Sequence, residues 1–130
     1  MNASSDVEID NAFATAVQQQ ASAVIIGADA FFLSRRAQLV ALAARHTLPT
    51  IFRYREESTS GGLMSYGTDL ADAYRLQGNY VGRVLKGEMP SDLPVQQSTK
   101  VQLILNLKTA RTLGLTFPLA LLGRADEVIE

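Results

Sequence analysis

The sequence contains no cysteine and no tryptophan, and His46 is its only histidine. Without cysteine there is no disulfide, no thiolate nucleophile and no sulfur-ligated metal. With one imidazole the ordinary zinc donor sets cannot be assembled, so no metal site is expected. The sequence also lacks G-x-G-x-x-G, a Walker-type loop and a G-x-S-x-G elbow, which argues against a nucleotide cofactor and against a serine hydrolase. Neither charge dominates: 12 Lys plus Arg against 13 Asp plus Glu leave a formal net charge of -1. No basic field is available to hold a polyanion, and nucleic acid is not an expected partner. Apolar runs are interrupted well short of the ~20 residues that a helical membrane span needs. Residues 1–10 offer neither a cationic start nor an apolar stretch, so no secretion signal is expected within the chain as it stands.

What is present is enough apolar material for one core, since 47% of the 130 residues are hydrophobic. From Glu8 to Gln20, Ile9, Phe13, Ala14 and Val17 fall on one side of a helix. The run Ala23-Val24-Ile25-Ile26-Gly27 then reads as a strand buried on both faces, as in a parallel sheet. The alternation repeats, with a helix over 35–46 carrying Leu39, Leu42 and Ala43, a strand at 49–52, a Gly61-Gly62 turn and a strand at 63–67. Right-handed parallel βαβ units account for this rhythm. The strongest amphipathic pattern follows over 68–86, where Thr68 or Asp69 can cap the start and Gly87 suits the end. A connector with two prolines spans 88–94, a fourth strand 101–105 and a short helix 107–113. Pro118 is placed to start a last helix running through Leu119, Leu122 and Ala125 toward Ile129.

No catalytic set emerges, and the chain is not expected to be an enzyme. His46 sits in the last turn of its helix, where a partial positive charge complements the carbonyl end. Glu56 and Glu57 are adjacent, so their carboxylates need not converge, and no serine has a base at hand. Ligands of parallel α/β sheets gather at the carboxyl ends of the strands. The loops leaving those ends hold Asp29, Phe31 and Phe32 after the first strand, Arg53, Tyr54 and Glu56 after the second, and Tyr66 and Asp69 after the third. Charged groups and aromatic faces on one rim suit a polar or zwitterionic small molecule with an apolar body. Each residue also has a purely structural use: Asp29 as a turn cap, Phe31 and Phe32 packed beneath a helix, Arg53 paired with Glu56, and Tyr66 in the core.

A set of sequence blocks runs through nearly the whole chain: Ala28-Asp29-Ala30-Phe31-Phe32, Gly61-Gly62-Leu63-Met64-Ser65-Tyr66-Gly67, Gly82-Arg83-Val84-Leu85-Lys86-Gly87, Asp92-Leu93-Pro94-Val95 and Asn106-Leu107-Lys108-Thr109-Ala110. Together they resemble the C-terminal part of the substrate-binding proteins of ABC importers, whose better-known members bind tryptophan and other amino acids. The resemblance implies a periplasmic-binding-protein type I-like fold, with a solute held between two three-layer α/β/α lobes and passed to a membrane permease. It also implies a periplasmic or extracytoplasmic location. Asp29, the Arg53-Tyr54 loop and Tyr66 would then touch solute from the C-terminal lobe. Relatives often carry proline where this chain has Ala30, which leaves that loop less constrained.

On this reading 1–66 is a second-lobe segment, 67–95 a crossover helix and connector belonging with the first lobe, and 96–130 the closing strand and helices, with the first lobe itself missing. The apolar stripe of the 68–86 helix would be left without its usual neighbour, which predicts a homo-oligomer formed through that helix. The alternative is a stand-alone dimerising α/β module, structural or regulatory, with no role in transport.

Overall fold

The computed structural model describes residues 1–130. Helix α1 (Asp6–Gln18) leads into strand β1 (Val24–Ile25), then α2 (Ala30–Ser34), α3 (Arg36–Arg45), β2 (Thr50–Phe52) and α4 (Arg55–Thr59). Strand β3 (Met64–Thr68) feeds the long helix α5 (Leu70–Leu85), and a 3-10 turn (Pro90–Asp92) precedes β4 (Val101–Asn106). The chain closes with α6 (Leu107–Thr112), α7 (Leu119–Leu122) and β5 (Glu127–Ile129). No helix is long and apolar enough to cross a membrane.

The five strands form one sheet in chain order, β1-β2-β3-β4-β5. All neighbours are parallel except β3 and β4, which run antiparallel with Thr68 opposite Val101 and Met64 opposite Leu105. The fold is therefore α/β with a mostly parallel sheet. One face is covered by the cluster Ile9, Phe13, Ala16, Leu39, Leu42, Ala43, Leu48 and Phe52 from α1, α3 and β2. The second cluster, Leu63, Leu103, Leu105, Ala110 and Phe117, gathers around β4 and α6.

Local chemistry explains the helix starts. Ser5 caps α1 by accepting from the Glu8 N–H at 3.3 Å, while the Glu8 carboxylate accepts from the Ser4 N–H and hydroxyl at 2.6 and 2.7 Å. The buried stripe of α1 is Ile9, Phe13 and Ala16; Ala14 and Val17, expected on it, face outward. His46 ends α3 and stacks on Phe13 at 6.4 Å. Gly61, Gly87 and Gly114 each hold a positive φ that a Cβ would strain.

Three expectations are corrected. Strand β1 is not buried on both faces: it is a two-residue edge strand with Ile25 76% exposed. The last helix stops at Leu122 because Gly123 and a turn intervene, and 127–129, expected to be helical, pair with β4 as a parallel strand. The loops after β1 and β2 contain short helices, α2 and α4, that were not foreseen.

Helix α5 stands apart. None of its residues is buried, and Tyr74, Val81, Val84 and Leu85 are exposed. Its return segment is tied back to it by the Tyr80 hydroxyl, which donates to the Pro94 carbonyl at 2.6 Å.

Candidate functional site

Because β1, β2 and β3 run the same way, their carboxyl ends open on one edge. The register sets Ile25 beside Ile51 and Ile51 beside Met64, so the segments leaving after Ile26 and Phe52 emerge beside Tyr66, from which β3 runs on two residues further to Thr68. The antiparallel β4 starts at this same edge, and β5, parallel to β4, starts there too, with Glu127 beside Ile104. The rim is thus completed by Lys100, Gln102 and Glu127, which had no place in the sequence-derived set. Alternation with a period of two does not distinguish a parallel from an antiparallel strand, so the direction of β4 left no trace in the sequence.

Asp29 is the N-cap of α2, one carboxylate oxygen accepting from the Phe31 N–H at 2.7 Å, and the side chain remains exposed at the rim. Phe31 and Phe32 are half-buried against the α1–α3 cluster, their ring centroids 5.8 Å apart and tilted. The Arg35 guanidinium lies 5.7 Å from the Phe31 ring centre and pairs with Asp6 at 2.6 Å, fixing α2 against α1. Beside these, an apolar cavity of about 150 Å³ lies between α1 and β1, with Phe13, Ile25, Gly27, Phe32 and Leu39 among its walls. It adjoins the rim at Gly27 and Phe32.

The β2–α4 turn is built on Glu57, a carboxylate only 1% exposed. One of its oxygens accepts from the Arg53 N–H at 3.0 Å and the Tyr54 N–H at 2.9 Å. Burial pushes the Glu57 carboxyl above its ordinary range, and the two backbone donors oppose that rise. Arg53 and Tyr54 are half-buried at the rim and Glu56 is exposed. Arg53 does not pair with Glu56; instead its side chain lies over Gly67, where a Cβ would run into the Arg53 carbonyl oxygen and side chain. The ion pair of this region is Arg55 with Glu127.

Tyr66 is not a core residue, nor does it follow the third strand as expected: it is the middle residue of β3, paired opposite Leu103, because β3 runs on to Thr68, and it stands 59% exposed. Asp69 is fully engaged within the chain. One oxygen caps α5 through the Asp72 N–H at 3.2 Å, and the other accepts from Gln102 Nε2 and Lys100 Nζ, both at 3.0 Å. The Lys100 ammonium holds the Asp69 carboxyl below its usual range. The sequence-derived residues therefore share one edge, with free polar or aromatic surface at Asp29, Glu56 and Tyr66, partly free surface at Arg53, Tyr54, Phe31 and Phe32, and a committed carboxylate at Asp69. Such an edge can present charge and ring faces to a small molecule; it assembles no nucleophile with a base.

The family model described as ABC transporter substrate binding protein matches residues 1–129. No curated protein matches the chain. Among solved structures, a conserved domain protein from Vibrio cholerae superposes with a TM-score of 0.86 at 23% identity over 98% of this chain. An ABC domain from Streptococcus pneumoniae in complex with L-Trp superposes at 0.84 with 28% identity over 96% of the chain. The ligand-free, open structure of a substrate binding protein with adhesive properties from Clostridium difficile superposes at 0.63 with 19% identity over 99% of the chain. In each case this chain spans 43% of the other chain's length.

Proposed function

The chain belongs to the ABC transporter substrate-binding protein family, and from that premise we propose that its strand-end rim is one side of a solute site in an importer, a binding surface and not a catalytic one. The observation that carries this reading is the convergence of Asp29, Arg53, Tyr54 and Tyr66 on a single edge of the sheet. An amino acid fits the chemistry of that edge. Asp29 keeps a carboxylate oxygen for an ammonium, Arg53 offers a cation to a carboxylate, and Tyr66 with the nearby phenylalanines offers faces to an apolar side chain. The bound L-Trp of the S. pneumoniae domain supports an aromatic amino acid as the first solute to try. In this account the protein works outside the cytoplasm, takes its solute between this rim and an opposing lobe, and hands it to an ABC permease. Helix α5 and its connector, 67–95, belong with that opposing lobe. A panel of amino acids tested by thermal shift on the protein carrying this chain checks the reading. At least one should raise the melting temperature, and Asp29→Ala should remove the rise; no response to any amino acid sinks the class.

A second reading, a dimerising module without transport, is favoured by the bare apolar stripe of α5, where Tyr74, Val81 and Leu85 are exposed. Light scattering beside the thermal-shift panel discriminates: a dimer that is lost on Val81→Glu and answers to no amino acid supports it, and a monomer at high concentration ends it.

A further inference from the structure

The molecule divides into two bodies joined by a narrow neck. The first is the sheet with its packed helices. The second is α5 with its return segment, held together by the Tyr80 hydroxyl on the Pro94 carbonyl at 2.6 Å and by Arg83 paired with Glu88 at 2.6 Å. Since α5 buries no residue, its direction is not fixed by packing against the sheet. The two bodies meet where β3 runs into α5 and where residues 95–100 return to β4. The last rung of the sheet is Thr68 opposite Val101, and one further bond, from the Asp69 N–H to the Lys100 carbonyl at 3.0 Å, extends it. On the sheet side the neck is pinned, because Gly67 lies hard against Arg53.

At that neck the polar side chains converge on two carboxylates. Asp69 caps α5 with one oxygen and with the other holds Gln102 and Lys100, residues of the returning strand. Asp72, one turn into α5, accepts from the Ser98 hydroxyl at 3.3 Å and pairs with Arg75 at 2.7 Å. One carboxylate therefore ties the helix start to the strand that returns beside β3. We propose that Asp69 is a positioning residue, a latch that sets the angle at which α5 leaves the sheet. This gives Asp69 a use other than touching solute. It rests on the solute-binding reading only for its consequence, that the angle of α5 sets the geometry of the opposing lobe over the rim.

The cysteine-free sequence allows a direct test, since two introduced cysteines carry labels with no background. Spin labels at Leu85→Cys on α5 and Lys108→Cys on α6 report the angle as a distance by pulsed electron resonance, with no solute present. The parent should give one narrow distance. Asp69→Ala should lose it to a broad distribution, and Asp69→Asn, whose one carbonyl oxygen keeps the cap while its amide nitrogen cannot accept from Gln102 or Lys100, should broaden it as well. The pair Lys100→Ala with Gln102→Ala should broaden it without touching the cap, which covers the case in which Asp69→Ala fails to fold. An unchanged narrow distance in Asp69→Ala, or in the double variant, overturns the latch. A rim that binds no solute overturns the solute reading and leaves this distance result standing.

Discussion

Arg55 grips Glu127 with two parallel hydrogen bonds, Nε to Oε2 at 2.6 Å and Nη2 to Oε1 at 2.8 Å, joining residues 72 positions apart. The first belongs to the helix that follows β2 and the second opens β5, so the bond reaches across the sheet from one side of the rim to the other. Both side chains remain partly exposed, and the pair is accordingly worth about 0.5–1 kcal/mol. Arg55→Ala should lower stability by that order in urea melts, and Arg55→Lys should not recover it, because the two-pronged geometry is lost. The difference should shrink at high salt.

Glu57 should matter through its oxygen more than through its charge. Glu57→Gln retains an acceptor for the Arg53 and Tyr54 N–H groups, whereas Glu57→Ala strands both in a buried turn and should cost ~1–3 kcal/mol. Burial holds the folded-state carboxyl above its ordinary value of 4.5. A raised carboxyl favours the folded state most at low pH, below that ordinary value. Its contribution is lost as the pH rises through the folded-state value. Urea melts of the parent and of Glu57→Gln across mildly acidic pH should therefore diverge as pH increases, the parent losing ground.

Gly67→Ala should be among the most damaging small substitutions in the chain. The added methyl would meet the Arg53 carbonyl oxygen, a backbone group that cannot swing aside, so β2 and β3 would have to part. Gly62→Ala meets the Phe52 ring at 2.7 Å and the Glu57 carbonyl at 2.9 Å and should also destabilise. Gly78→Ala, in α5 with open space around it, should instead stabilise by about 0.5–1 kcal/mol. Thermal melts of the three variants give the order directly.

The alternation of apolar runs with amphipathic stretches carried the class of the fold, and the ends of the strands followed from it. Ile25 shows the limit. A continuous apolar run looks the same whether a strand lies in the middle of a sheet or at its edge, since only the neighbours differ, and those are far away in sequence. The closing strand was hidden for a related reason. Leu119, Leu122 and Ala125 keep helical spacing, yet Gly123 and the Asp126 carboxylate, which accepts from the Leu103 N–H at 2.7 Å, turn the chain toward β4. Asp29 was legible both as a cap and as a rim group, and it is placed as both. The engagement of Asp69 was not, because Gln102, 33 positions away, reaches it only through the antiparallel return of β4.

The rim is the proposed place where a small solute is met, and amide chemical shifts of the isotope-labelled chain, titrated with millimolar L-tryptophan, L-leucine and a neutral sugar, test that most directly. An amino acid should move the amides of residues 27–32, 53–56 and 66–68 together, and Tyr66→Ala should weaken the response at all three segments. Shifts scattered over α3, α6 and the far end of the sheet, or none with any amino acid, would contradict it.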